Sequence, residues 1–440
     1  MRVITLFWTL LCAAVARGAP PEALYGHFMI RRVSGNAGVS MDALCADLDA
    51  AGVFHCHFTW RDGAAGKRHV AIESDDELVA AVNAQPSVRA ANATFTQVKD
   101  QYQLSPVGTY LGRAASWNAT ASFPHRRLRV LDEYQSDAPS VLRYLNPLFH
   151  GGRYYYAAPA VRNVTVYVVD TEIAPSHPEF SDRVKGGSRV RASWWSLSAN
   201  ETTGTACATE HGTHVASIVA GNEHGVCKTA AIVSVAVNAG CGADSRASEL
   251  VAGLDWILST LDGAPSVVTI SPQAIAGGAG EVVTLMTQQL LDAGVVVVAA
   301  AGDTSDVACL YSPSGVPGVL TAAGANMSTL SAGAPSETTN YGSCVGLWAA
   351  GVNVSAASAL PGMSSVFTGT ADAAAAVAGA AAQLIASGLA TDSASVTAAM
   401  RRFAAEDVLT WNVPQTPRTF AQVPVYGVYG TYGTYGGYGK

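Results

Sequence analysis

Apolar and polar positions along the chain fall into two regimes. Between residues 24 and about 98 the blocks are short. His27 to Val33, Phe54 to Trp60, His69 to Glu73 and Val88 to Val98 read as strands or extended pieces, and Ser40 to Ala51 and Asp75 to Ala84 as helices. That order, βαββαβ, predicts a small α+β unit of the ferredoxin-like kind. From Val164 the pattern changes to continuous apolar runs: Val164 to Val169, Ala231 to Val237, Val267 to Ile270 and Val295 to Ala300. Strands with so little polar alternation are covered on both faces. The stretches between them, such as Ala247 to Thr260 and Gly280 to Ala293, are long enough for crossover helices, so this region predicts an α/β domain on a mostly parallel sheet. Residues 106–160 fit neither pattern and read as a linker plus the first wrapping segment of the α/β domain. They carry an Arg126–Arg127 pair and an aromatic patch at Tyr154, Tyr155 and Tyr156. The expected division is a leader at 1–18, the α+β unit at 19–105, that linker, the α/β domain at 161–410 and a disordered tail at 411–440. The tail ends in a Tyr–Gly repeat from Tyr426 to Gly439.

Composition narrows the class. At 440 residues there is room for two or three domains at about 150 residues each. With 26 Lys and Arg against 33 Asp and Glu, the net charge of -7 supplies no basic stripe for nucleic acid. Charged residues make up 13% of the chain, so its surface leans on Ser, Thr, Gly and Asn. Met1 and Arg2 precede an apolar run to Val15 and the small residues around Ala16-Arg17-Gly18, which reads as a secretory leader and predicts an extracellular protein. No later stretch is long and apolar enough to suggest a membrane span. Asn-x-Ser/Thr sequons begin at Asn92, Asn118, Asn163, Asn200, Asn326 and Asn353, all candidate glycosylation sites. Outside the leader stand Cys45, Cys56, Cys207, Cys227, Cys241, Cys309 and Cys344, enough in an oxidising compartment for three bridges and one free thiol.

Two places carry candidate chemistry. The first predicted strand of the α/β domain ends in Val169-Asp170-Thr171-Glu172, where a carboxylate would face an imidazole; alone, such an Asp is more often a turn or cap residue. His211 stands at the mouth of an Ala- and Val-rich helix in Glu210-His211-Gly212-Thr213-His214, where alone it is a cap-region residue or a base. Together, in the order an acid and base of one relay would follow, they point to a catalytic pair at the carboxyl ends of the strands.

These segments resemble the subtilisin-like serine proteases, closest to their proteinase K branch. YVVDTEIAPSHPEF is similar to the family's aspartate segment and HGTHVASIVAG to its histidine motif. AAGDTSDVACLYSPSGVPGVLTAAGA resembles the oxyanion segment, and NYGSCVGLWAAG the approach to the nucleophile. The resemblance implies a three-layer subtilisin-like fold, and more weakly it implies that the βαββαβ unit is an inhibitory propeptide. It also implies a serine at the start of a buried helix, in Gly-Thr-Ser-Met-Ala-x-Pro-His. Here that place reads Gly369-Thr370-Ala371-Asp372-Ala373-Ala374-Ala375-Ala376. A methyl group has no proton to lose and no lone pair, so His211 has nothing to activate. Loss of the serine in subtilisin lowers turnover by about 2 × 10⁶-fold. Other family positions have drifted as well. The oxyanion position is Asp303, whose charge would oppose the one that develops, although some active relatives carry Asp there. The strand that pairs with substrate is Ser271-Pro272-Gln273, and Pro272 has no N–H to give. Glu172 and Glu210 add carboxylates that would raise the pKa of His211 if close. Ser364 and Ser365 lie upstream, but a substitute nucleophile would have to reach the same point beside His211.

The resemblance further implies disulfides Cys207–Cys241 and Cys309–Cys344, each closing a loop of about 35 residues. Cys227 is then left free, and Cys45 with Cys56 remains an open pairing. His55-Cys56-His57 suggests a metal, but strand alternation turns Cys56 away from both histidines. No cofactor is expected, and structural calcium, common among relatives, has no obvious carboxylate cluster in the sequence. The reading is a secreted homologue of serine endopeptidases that has lost its nucleophile and acts by binding, as decoy, scaffold or surface partner. Its protein or peptide ligand is unidentified, and its own propeptide is one expected partner. The rival reading is an endopeptidase working through a nonstandard nucleophile.

Overall fold

A computed structural model of the chain describes short strands between residues 6 and 103 and then residues 133–146, 153–156, 160–189, 206–238, 245–275, 279–327, 332–406, 408–410 and 413–423. Leader cleavage after Gly18, the helices Ser40 to Ala51 and Asp75 to Ala84, the Arg126–Arg127 pair, the Cys207–Cys241 and Cys45–Cys56 pairings and the Tyr–Gly repeat lie outside the described residues.

Upstream, strands Thr59–Asp62, Lys67–Ile72, Phe28–Ser34 and Thr94–Lys99 form an antiparallel sheet in that spatial order. The first strand in sequence lies in the middle beside the last, as a βαββαβ chain requires.

The larger domain is built on β1 (Thr165–Thr171), β2 (Val184–Arg189), β3 (Ala231–Asn238), β4 (Ser266–Ile270), β5 (Val296–Ala300), β6 (Leu320–Met327), β7 (Gly333–Pro335) and β8 (Val345–Ala350). The order is β2-β3-β1-β4-β5-β6-β7, with β8 also paired to β6; only the β6–β7 pairing is antiparallel. Its helices are α1 (Ser140–Leu145), α2 (Ala206–Ala220), α3 (Ala247–Thr260), α4 (Ala279–Asp292), α5 (Thr370–Ala386) and α6 (Ser393–Phe403). Val166 and Val168 of β1 pack into one core with α2 and α5, and Tyr167 and Val169 into a second core with α3 and α4. Two buried faces on one strand explain the absence of polar alternation, and the three layers give an α/β subtilisin-like architecture.

The run of alanines in α5 lets this buried helix approach α2 closely. A Cβ on Gly379 would lie 2.8 Å from the Val219 carbonyl oxygen and 2.6 Å from Val226 Cβ, so the crossing demands glycine. At the other end of the domain the packed chain runs past the expected boundary at 410. Phe420 is buried, Trp348 N–H donates to the Thr419 carbonyl (2.9 Å), and Val423 N–H donates to the Leu145 carbonyl (2.9 Å). The isolated apolar residues of this Pro-rich segment carry no periodicity, which is why its place in the core is not visible in the sequence. Residues from the 106–160 segment join the same core: α1 buries Val141, Leu142 and Leu145, and Tyr154 Oη donates to the Val226 carbonyl (2.7 Å).

Candidate active site

Asp170 sits at the carboxyl end of β1, next to β3 on one side and β4 on the other. The chain fills the sheet outward in both directions from here, and α/β folds leave their crevice at such a point. Its Oδ1 accepts from the Thr171 N–H (2.6 Å) and faces His211 Nδ1 at 2.7 Å. Helix α2 is fixed against this strand end by short contacts. Gly212 N–H donates to Thr171 Oγ1 (2.7 Å), and Ala174 N–H donates to Thr213 Oγ1 (2.9 Å). A Cβ on Gly212 would stand 2.3 Å from the Thr171 carbonyl oxygen, so only glycine lets the helix come near enough for the pair to form.

Asp170 is 1% exposed and the His211 side chain 35%. Burial alone would raise the Asp170 pKa, but the His211 imidazole and the hydrogen bonds to the carboxylate outweigh it and hold the group below the usual range. For His211, burial pulls the other way from its neighbours: Asp170 first, then Asp372 and Asp303, overcome it and lift the imidazole to about 9. At neutral pH His211 is therefore a cation and not a base. Glu210, expected to contribute here, instead accepts from the Ala359 N–H (2.8 Å) and Ser358 Oγ (3.1 Å). It thereby ties down the hairpin of β9 (Val354–Ala357) and β10 (Ser364–Phe367).

Ala371 lies in the first turn of α5, partly buried against the core. Asp303, which follows β5, does not point its carboxylate at an empty cavity. Its oxygens accept from the Thr370 N–H (2.9 Å each) and from Thr370 Oγ1 (2.9 Å), so it caps the helix that begins there. Burial, with the Asp372 charge nearby, raises its pKa in spite of those bonds. Of the expected substrate strand, Ser271 is partly exposed, while Pro272 and Gln273 are buried; Gln273 donates its side-chain N–H to the Ala300 carbonyl. The next residues, Ala274–Ile275, pair antiparallel with Tyr311–Ser312. Elsewhere, strand Tyr102–Gln103 from the upstream region pairs antiparallel with Ser245–Arg246, just ahead of α3.

Several neighbours escaped sequence reasoning. Phe367 sets its ring edge-on to both His211 (5.5 Å between centroids) and His214 (4.8 Å). Buried Glu179 accepts from the His224 N–H (2.8 Å) and faces His224 Nδ1 (2.8 Å); with Glu223 they form a group of potential metal ligands. Glu179 also takes the Glu223 N–H (3.2 Å), so its oxygens already serve the protein, and three residues fall short of calcium's six to eight oxygens. Cys309 and Cys344 form a disulfide, and Cys227 is a buried free thiol that burial pushes up to about 11, which makes it unreactive.

Residues 161–418 match the model of the subtilase family. Over 207 residues the chain is 35% identical to an extracellular serine proteinase of Thermus sp., covering 47% of this chain and 46% of that protein. Over 194 residues it is 34% identical to alkaline serine exoprotease A of Vibrio alginolyticus, covering 44% and 33%. The chain thus spans less than half the length of either relative. Among solved structures, a cold-adapted subtilisin-like serine proteinase superposes with a TM-score of 0.55 at 28% identity, covering 66% of this chain and all of that one.

Proposed function

The chain belongs to the subtilase family, and from that premise we propose that it is a secreted homologue, derived from the proteinase K branch, that binds polypeptide without hydrolysing it. What carries this reading is Ala371 at the start of α5, the position at which the family resemblance puts the serine hydroxyl that a relay from Asp170 through His211 would serve. Two further features support it. His211 is cationic at neutral pH, and the Asp303 carboxylate sits on the Thr370 amide, so negative charge is already present where an oxyanion would need donors.

A chain without the serine cannot excise its own upstream unit. We therefore infer that the unit stays attached or is cut by another protease, with Arg126–Arg127 the basic pair in the sequence for such a cut. The pairing of Tyr102–Gln103 with Ser245–Arg246 supports an edge that accepts an extended segment, first from the chain itself and then from a ligand.

The test compares the purified chain with Ala371→Ser on casein and a chromogenic peptide. The natural chain is expected to match buffer. Ala371→Ser is expected to gain hydrolysis that climbs as pH rises toward about 9, because His211 must lose its proton before it can take one. Hydrolysis by the natural chain that His211→Ala abolishes would overturn the proposal.

A further inference from the structure

One helical turn beyond His211, the fully buried His214 lies between a hydroxyl and a carboxylate. Its Nδ1 is 2.8 Å from Ser365 Oγ on β10, and its Nε2 is 3.2 Å from Asp372 Oδ1 in the first turn of α5. Asp372 is 1% exposed, and since neither its oxygens nor His214 Nε2 completes a hydrogen bond, the two groups meet as a close pair in which the carboxylate acts through its charge. An ionised carboxylate so placed favours the imidazole proton on Nε2, which leaves the Nδ1 lone pair facing the serine hydroxyl. Three elements thus converge on a Ser–His–Asp line in which the two ring nitrogens have exchanged their usual roles. Either nitrogen serves as base when a carboxylate holds the other. Phe367 covers the imidazole, while Ser365 is only partly buried, between the exposed Ser364 and Val366.

We propose that Ser365 is a nucleophilic hydroxyl served by His214 and Asp372, and that it accepts acyl groups from small activated esters. This goes beyond the proposed function, which concerns peptide hydrolysis at the Ala371 position. The substrate class follows from the surroundings. Ser365 is half-buried within the β9–β10 hairpin, which suits a small substrate, and an alkoxide departs more readily than an amine. In the acylation step Ser365 Oγ bonds to the carbonyl carbon and its proton passes to His214 Nδ1. The ester C–O bond then breaks, and the leaving alkoxide takes the proton from Nδ1, giving acyl-Ser365 and a free alcohol. Water, deprotonated by the same nitrogen, attacks the acyl carbon, releases the carboxylic acid and returns the proton to Ser365.

The same atoms admit a purely structural arrangement. A cationic His214 would donate from Nδ1 to Ser365, and Ser365 would donate to the Ala357 carbonyl at 3.2 Å, so the hydroxyl would have no base. The full chain treated with a small fluorophosphonate and mapped by mass spectrometry separates the two. The expected result is one adduct on Ser365, unchanged in Ser364→Ala, absent in Ser365→Ala and formed about 10²-fold more slowly in Asp372→Asn. An unlabelled Ser365 in folded protein, or an Asp372→Asn variant labelled as fast as the natural chain, overturns the proposal. Should Asp372→Asn fail to fold, Ser365→Cys reads the same relay with the buried pair intact. Its thiol is expected to react with iodoacetamide at pH 6 about tenfold faster than the same thiol in denaturant, and an equal rate overturns the assignment. Labelling of Ser365 requires no peptide turnover, so this test and the Ala371→Ser assay fail independently.

Discussion

His211 and His214 stand three residues apart on α2 and each faces a carboxylate, yet the two pairs behave as different objects. His211 meets Asp170 at 2.7 Å with its own side chain 35% exposed; His214 meets Asp372 at 3.2 Å with both groups buried and the partly exposed Ser365 on the outer side of the imidazole. The first pair is open to solvent on its His211 side, and three carboxylates, those of Asp170, Asp372 and Asp303, set its protonation. The second lies between two helices, where solvent offers no substitute for a missing partner. Access to water, more than the chemistry of the two side chains, decides how freely such a pair titrates and what the loss of one partner costs.

The largest expected effect sharpens that contrast. Asp372→Ala leaves the buried Nε2–H of His214 without the acceptor it faces and opens a cavity beside it, and is expected to cost about 3–4 kcal/mol in urea unfolding. Asp170→Ala is expected to cost about 1–2 kcal/mol, because water reaches the exposed edge of His211. Equal losses in the two variants would break the comparison. A middle-sized effect is expected from Gly212→Ala, whose new methyl meets backbone at Thr171. It should cost about 1–3 kcal/mol and, by spreading α2 from β1, bring the His211 pKa down from about 9, read by the proton NMR of its imidazole. The smallest effect, because solvent screens an imidazole that is 35% exposed, is the pH profile of the His211 pair itself. Its folded pKa of about 9 lies above the ordinary 6.5, so the stabilisation is whole below about 6.5 and is lost as pH rises through about 9. Asp170 is held below its ordinary value, so its contribution is present above that value and is lost as acid titrates the folded carboxylate. The natural chain and His211→Gln are expected to converge in stability above pH 9, and a constant gap would show that the imidazole charge has no part in it.

Much of the central sheet is legible in the sequence because its strands are uninterrupted apolar runs. Val164 to Val169 and Ala231 to Val237 fall within a residue or two of β1 and β3, and the predicted stretch Ala247 to Thr260 coincides with α3. Asp170 is legible as a type because it sits where a strand meets a loop; His211, expected at the mouth of its helix, instead lies more than a turn inside α2, which begins at Ala206. Their neighbours are not. That Asp303 caps α5, that Asp372 turns toward His214, and that Glu210 holds a hairpin some 150 residues away are consequences of how α2, α5 and the 358–359 turn are brought together. No local pattern encodes those meetings, and in each case the sequence reading gave the charge its sign but not its partner. The same applies to Phe420 and Val423, single apolar residues whose burial depends on strands β6 and β8 and helix α1.

The hydrogen bond from Val423 to Leu145, joined by Asn146 Nδ2 donating to the Val423 carbonyl (2.9 Å), fastens two stretches of chain separated by 277 positions. During synthesis the first stretch must wait, its side of the fold unclosed, until the second has left the ribosome. The assembly of this domain is therefore completed late, and a transcript cut short at codon 410 is expected to yield a polypeptide that folds most of its sheet but remains prey to cellular proteases.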